Sequence, residues 1–140
     1  MNKGISGNAG VFSCAEDIAV FCAMLQNDGT WRGRRILRPE TAHLLRTVPD
    51  FAMQFGRSYG WDVYSAYSSC RGSLLSPETY CHTGFTGTSI VIDPINDVSI
   101  ILLSNAVHPH EGKSGMIQLR KKISDIVAKA LIFPPFRAEK

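Results

Sequence analysis

The chain has 140 residues, a net charge of +3 and no long basic run, which suits one globular domain or part of one and argues against a nucleic-acid-binding protein. Charged residues are 19% of the total, below the roughly 25% usual in soluble domains, as expected of a piece whose faces other chain segments cover. The opening MNKGISGNAG lacks the apolar core of a signal peptide, and the longest nearly unbroken apolar run, residues 98–103, is too short to span a bilayer.

The first predicted helix follows a glycine-rich turn. Ser13 and Glu16 have the spacing of a capping box, in which each side chain bonds the backbone N–H of the other residue. Gly29, in an Asn-Asp-Gly turn, ends the helix. Four residues between these ends form one apolar face at helical spacing: Ile18, Phe21, Cys22 and Leu25.

The middle of the chain predicts short elements separated by loops. Residues 30–37 (TWRGRRIL) predict a connection, and residues 38–48 (RPETAHLLRTV) predict a second short helix with Pro39 in its first turn. Residues 58–64 (SYGWDVY) predict a strand, whose Trp61 and Tyr64 we assign to the core or to a cleft wall. Residues 65–79 are rich in turn formers and predict a loop.

The last third predicts two strands and a closing helix. The strands, residues 88–93 and 98–104, are joined by a Pro-Ile-Asn-Asp turn, and the second is apolar on both faces, as in a central strand covered on both sides. The helix spans about residues 116–131, and its Arg120, Lys121 and Lys122 are interpreted as solvated surface. The order predicts an α+β fold, in which an antiparallel sheet of about three strands follows a capped helix and a C-terminal helix packs on the sheet.

Four cysteines occupy positions 14, 22, 70 and 81. Cys14 and Cys22 would lie about 12 Å apart along one helix, too far to bond, whereas pairing of Cys70 with Cys81 stays open. No CxxC motif occurs, so a zinc site of the usual kind is not expected. Free thiols are our expectation, and they favour a reducing compartment.

Two groups of histidines raise the question of a site. A strand avoids glycine unless a ligand or another backbone comes close, yet His82-Thr83-Gly84 lies at the entry to the sheet. The plainer alternatives are a histidine satisfied by the backbone, and glycines that only ease a bulge. His108 and His110 flank a proline, and we interpret them as a solvent-exposed turn rather than as metal ligands with Cys81.

Four segments, taken in order, resemble the serine β-lactamase-like family, which includes class C β-lactamases, penicillin-binding proteins, D-aminopeptidases and related esterases. The segments are AGVFSCAEDIAVFCAMLQNDGTWRGRRILRPET, YGWDVYSAYSSCRG, YCHTGFTGTSIVIDP and ILLSNAVHPH. The resemblance covers roughly residues 7 to 131. A lone His-Thr-Gly would be a weak signal, but the ordered set is specific.

The resemblance implies an incomplete β-lactamase/transpeptidase-like fold, with residues 1–140 as a single-domain fragment from the C-terminal part. It implies that His82-Thr83-Gly84 lines the active site of a serine hydrolase. Gly84 would let substrate lie along the strand, His82 would donate near the nucleophile, and Thr83 would face a substrate carboxylate. The backbone N–H of Phe85 would be one oxyanion-hole donor, and such a donor contributes on the order of 3 kcal/mol.

The nucleophile motif of the family is missing from this sequence. No serine stands three residues before a lysine, and Tyr67-Ser68-Ser69 matches the family's Tyr-x-Ser only in a place after the capped helix, so we treat it as coincidence. We therefore expect the chain alone to be inactive, without cofactor or metal. Its expected partners are a missing N-terminal half or other copies of itself, together with a small acyl substrate of the parent enzyme. The alternative is a non-catalytic module that self-associates or binds a ligand.

Overall fold

A computed structural model of the chain describes residues 4, 7, 9–66, 68–110 and 115–131. It has three helices, α1 (Ala15–Gln26), α2 (Pro39–Arg46) and α3 (Met116–Ala130), and two 3-10 helices, Asp50–Phe55 and Ser68–Arg71. Its strands are β1 (Thr30–Trp31), β2 (Arg34–Arg35), β3 (Tyr80–Thr83), β4 (Ser89–Asp93) and β5 (Val98–Leu102). The α+β class, the three principal helices and the two late strands are confirmed. The glycine-rich opening lies largely outside the described residues.

The main sheet is antiparallel and has the order β3-β4-β5. Successive residues of a strand face opposite sides of the sheet. Tyr80 and Ile92 therefore join a core with α1, while Cys81 and Val91 pack on the other side, toward the helix Ser68–Arg71. The expectation that the second late strand is central is wrong for the described sheet, where β5 is an edge strand. All five of its residues are only half-buried, because among the described residues just one strand, β4, lies beside it.

Helix α1 begins one residue later than a capping box requires. Cys14 occupies the N-cap position and makes no side-chain cap, while the Ser13 hydroxyl lies 3.5 Å from the Cys14 carbonyl oxygen. Glu16 therefore stands two residues after the cap instead of three, and the predicted reciprocal pair does not form. The end of the helix is as predicted, since Gly29 has a φ of +84° and carries the turn.

The segment 58–64 is not the predicted strand. Gly60 has a φ of +89°, and the N–H of Ser58 donates to the Trp61 carbonyl at 3.0 Å, which closes a turn where a strand would run straight. Only Asp62 pairs with the sheet, exchanging two backbone hydrogen bonds of 2.8 Å with Cys81. The turn places Trp61 in the core, with its ring edge-on to Tyr80 at 5.0 Å between centroids.

The predicted loop 65–79 contains the 3-10 helix Ser68–Arg71, and this helix brings Cys70 to Cys81. The two cysteines form a buried disulfide across a sequence separation of 11, with Cα atoms 6.9 Å apart. The free-thiol expectation is therefore wrong for this pair, and the argument for a reducing compartment loses its basis. Cys14 and Cys22 are free, the first exposed and the second buried.

Helix α3 packs mainly on the 3-10 helix that carries Cys70. The Ser124 hydroxyl donates to the Cys70 carbonyl at 2.7 Å, and the Asp125 carboxylate accepts from the backbone N–H of Ser73 at 2.6 Å. The side of α3 away from Ser124 leaves Ile126 exposed, and Ile117 is exposed in the first turn of the helix. Within the described ranges, no helix has both the length and the apolar character needed to cross a membrane.

Candidate active site

The His-Thr-Gly motif lies at the end of β3, the second edge strand of the described sheet. Cys81 exchanges both of its backbone hydrogen bonds with Asp62, on the side of β3 that faces away from β4. Because backbone groups alternate between the two sides of an antiparallel strand, the N–H and C=O of Thr83 point to this same outer side. The His82 side chain is exposed and contacts the Trp61 ring edge-on at 6.4 Å. The motif thus combines an exposed imidazole with an outward-facing strand edge.

A tight turn follows the motif and joins β3 to β4. The N–H of Gly84 donates to the Thr88 carbonyl at 2.8 Å, and the N–H of Gly87 donates to the Gly84 carbonyl at 3.1 Å. A Cβ on Gly84 would overlap the Thr88 hydroxyl. The sequence attributed Gly84 to the close approach of a ligand or of backbone, and the chain's own Thr88 side chain already requires glycine at this position.

The segment after β5 supports the turn from a second direction. The N–H of Ala106 donates to the Thr86 carbonyl at 2.7 Å, and the Ser104 hydroxyl donates to the Gly87 carbonyl at 2.8 Å. Gly87 has a φ of +119°, and a Cβ there would come within 2.9 Å of the Ser104 oxygen. The family-like segment Ser104-Asn105-Ala106 therefore fixes the shape of the turn.

Arg120 of α3 provides the third support, and the sequence interpretation of this residue as solvated surface is wrong. Its Nη2 lies 3.0 Å from the Gly84 carbonyl oxygen and 2.9 Å from the Thr88 carbonyl oxygen. Arg120 precedes buried Ser124 by four residues and buried Ala128 by eight, so it lies on the inner face of the helix. That spacing is the signal that could have identified it, and Lys121 and Lys122 are exposed as expected.

A buried carboxylate, that of Asp93, holds the end of the β3–β4 pair that lies away from the motif. Asp93 accepts hydrogen bonds from the Ser76 hydroxyl at 2.6 Å, the Ser76 N–H at 2.9 Å and the Asn96 amide at 2.7 Å. Burial alone would raise the pKa of the Asp93 carboxyl, but the hydrogen bonds from Ser76 and Asn96 outweigh it and lower the pKa below its usual value. These bonds tie the segment before β3 to the turn after β4.

The remaining candidates lie apart from the motif or serve other contacts. Cys81 is in the disulfide and is not available as a metal ligand beside His108 and His110, and the described part of the chain contains no cluster of three or more potential metal-binding side chains. Tyr64 is half-exposed, and its hydroxyl donates to the Met53 carbonyl at 3.1 Å. Tyr67, the first residue of the second-motif look-alike, lies outside the described residues.

Comparison with known proteins agrees with the ordered motifs. The family model described as Beta-lactamase matches residues 1–124. The chain is 38% identical over 105 residues to a "Putative D-alanyl-D-alanine carboxypeptidase" of Escherichia coli (strain K12). It is 38% identical over 106 residues to a protein of the same name from Salmonella gallinarum. Each match covers 75% of this chain and 24% of the relative, so the chain corresponds to about a quarter of the length of these curated relatives. This chain therefore belongs to the Beta-lactamase family.

Proposed function

We propose that the chain supplies one wall of a serine-hydrolase active site, formed by His82, Thr83, Gly84 and Phe85. The observation that carries the proposal is the direction of Thr83, whose backbone N–H and C=O point to the outer edge of β3, beyond the place where Asp62 ends its pairing. An extended substrate can add to such an edge by main-chain hydrogen bonds. The three-sided support of the following turn keeps this edge in a fixed position.

Each residue of the wall has a proposed role. The exposed His82 imidazole donates near the nucleophile, and the Thr83 hydroxyl donates to a carboxylate on the substrate. The Phe85 N–H donates to the oxyanion that develops during acyl transfer. The relatives are named for D-alanyl-D-alanine carboxypeptidase activity, which supports an acyl substrate that ends in a carboxylate.

The nucleophile must come from outside these 140 residues, because the sequence contains no Ser-x-x-Lys. We propose that the chain alone is inactive and acts with a segment that carries this motif. The greater length of the relatives supports such a segment.

The test is an acylation assay in which the chain is co-expressed with the remainder of the Escherichia coli relative and treated with a fluorescent penicillin. Thr83→Val should slow acylation about tenfold or more, the effect of losing one polar contact in the site. Thr86→Val is the matched control, since Thr86 is exposed and its side chain has no proposed role. Equal rates for both variants would contradict the assignment of the wall.

A second candidate function is self-association, and the exposed side of the described sheet favours it. Strand β5 is an edge strand with apolar residues, and Leu103 just beyond it is 49% exposed. Open edges recruit other strands, so we propose a dimer or higher oligomer that pairs through β5 and can exchange elements. Light scattering on a sizing column should then detect an oligomer that Leu103→Lys weakens. The control is Leu44→Lys on α2, where the side chain is 52% exposed. A monodisperse monomer at micromolar concentration would exclude this candidate.

A further inference from the structure

One guanidinium nitrogen holds both ends of the turn that follows the His-Thr-Gly motif. Nη2 of Arg120 donates to the Gly84 carbonyl at 3.0 Å and to the Thr88 carbonyl at 2.9 Å. The same two residues are joined directly, because the Gly84 N–H donates to the Thr88 carbonyl at 2.8 Å. Arg120 therefore places its positive charge beside two carbonyl oxygens, one at the start of the turn and one at its end.

The planarity of the peptide bond gives this contact a consequence for Phe85. The carbonyl of Gly84 and the N–H of Phe85 belong to one trans peptide group, so they point in opposite directions. The Gly84 carbonyl is directed inward by two donors, Arg120 Nη2 and the Gly87 N–H at 3.1 Å. The Phe85 N–H must then point away from α3.

The environment of Arg120 indicates that this contact is specific rather than incidental. The guanidinium is part-buried, and among the described residues its buried Nε has no hydrogen-bond partner. Leaving a buried donor unpaired costs free energy, so a long cationic side chain would turn outward unless the contacts of Nη2 compensated. The neighbouring Lys121 and Lys122 do turn outward.

We propose that Arg120 is a positioning residue, which sets the direction of the Phe85 N–H by holding the Gly84 carbonyl. This inference rests on the proposed role of that N–H as an oxyanion donor. The orientation of the peptide group between Gly84 and Phe85 can be measured in this chain without an activity assay.

The experiment compares Arg120→Met, Arg120→Lys and the control Lys121→Met by NMR of the intact chain. Lys121→Met removes the same charge from the next position of α3, where the side chain is exposed. We expect Arg120→Met to accelerate amide exchange about tenfold at Gly84 and Gly87, whose N–H groups are hydrogen-bonded within the turn, as for one lost charge-assisted hydrogen bond, and to shift the Phe85 amide resonance. The Gly84 carbonyl carbon should shift as well. Amides in the middle of β4 should keep their protection against exchange. Arg120→Lys should retain part of the protection of the turn amides, because an ammonium can donate to the same carbonyls.

The outcomes separate this inference from the proposed function. Unchanged exchange at Gly84 and Gly87 together with unchanged Phe85 amide and Gly84 carbonyl resonances in Arg120→Met, or the same changes in Lys121→Met, would overturn the positioning role. A uniform loss of protection through β4 and β5 in Arg120→Met and Arg120→Lys alike would also overturn it, because that pattern belongs to general packing. The acylation assay with Thr83→Val tests the proposed function independently, since it leaves Arg120 in place.

Discussion

The Asp93 carboxylate and Ser76 are joined by two hydrogen bonds, one from the Ser76 hydroxyl at 2.6 Å and one from its N–H at 2.9 Å. Both residues are fully buried. The pair connects the end of β4 to the segment that leads into β3, so it sets the position of the strand that carries the candidate site.

Replacement of Asp93 by Asn should lower the free energy of unfolding by about 3 kcal/mol, because an amide group places a donor among donors and forfeits charge-assisted bonds. Urea unfolding measures the change. Asp97→Asn is the matched control in the same turn, where the side chain is exposed and accepts a hydrogen bond from Gln26 at 3.2 Å. Equal effects of the two substitutions would contradict the role of the Asp93 network.

Acid should act through the same carboxylate. Hydrogen bonds hold the pKa of Asp93 below its usual value despite burial, so the unfolded chain binds this proton more readily than the folded chain does. The stabilisation is present above the unfolded pKa of about 3.9 and is lost as the pH falls through the lower folded value. The stability difference between the unsubstituted chain and Asp93→Asn should therefore shrink below about pH 4. If the stability difference between the two chains stays constant as the pH falls from about 4 to about 2, this linkage is refuted.

Alkali should act through Tyr80, for which burial raises the pKa to about 12. The folded-state pKa lies above the unfolded value of about 10, so this contribution is fully present below pH 10 and is lost as the pH rises toward about 12. Tyr80→Phe should leave stability near neutral pH almost unchanged and should flatten the decline in that alkaline range. Tyr59→Phe, at a half-exposed position, is the control. An identical alkaline decline with and without the Tyr80 hydroxyl would be the contrary result.

Gly84→Ala should destabilise the chain by about 1–3 kcal/mol, the usual cost of forcing an extra methyl group into an occupied space. The added Cβ would overlap the Thr88 hydroxyl, so Thr88→Ala in the same chain should relieve most of the loss. A double-mutant cycle by thermal unfolding measures the coupling between the two positions. Additive effects would mean that Thr88 does not impose the glycine.

Removal of the Cys70–Cys81 disulfide should lower the free energy of unfolding by about 3 kcal/mol, from the loop-closure entropy of a short cross-linked segment. The double substitution Cys70→Ser with Cys81→Ser, measured by urea unfolding, tests this. Cys14→Ser is the control at an exposed free thiol. Insensitivity of the unsubstituted chain to a reducing agent would argue that the bond does not contribute.

Local patterns in the sequence predicted the elements with strong signals. The apolar periodicity of residues 18–25 and the Pro-Ile-Asn-Asp turn identified α1 and the β4–β5 hairpin within one or two residues. The strand expected at residues 58–64 failed because Gly60 takes a left-handed conformation and the turn of Ser58 with Trp61 overrides strand propensity.

The parts that local patterns did not predict depend on contacts between distant segments. The disulfide requires the 3-10 helix of Cys70 to pack on β3, and spacing alone left its pairing open. Arg120 lies 36 residues beyond Gly84, and only the packing of α3 brings them together. The His82-to-Phe85 wall stays a prediction, because its proposed chemistry depends on a Ser-x-x-Lys motif that this sequence does not contain.

The most direct test of the central claim is intact-mass analysis of the chain after incubation with a fluorescent penicillin, alone and with the remainder of the Escherichia coli relative. We expect no adduct on this chain in either sample, and an adduct on the serine of the added segment when both are present. A stoichiometric adduct mapped to a serine of this chain would show that it carries its own nucleophile, and would contradict the account.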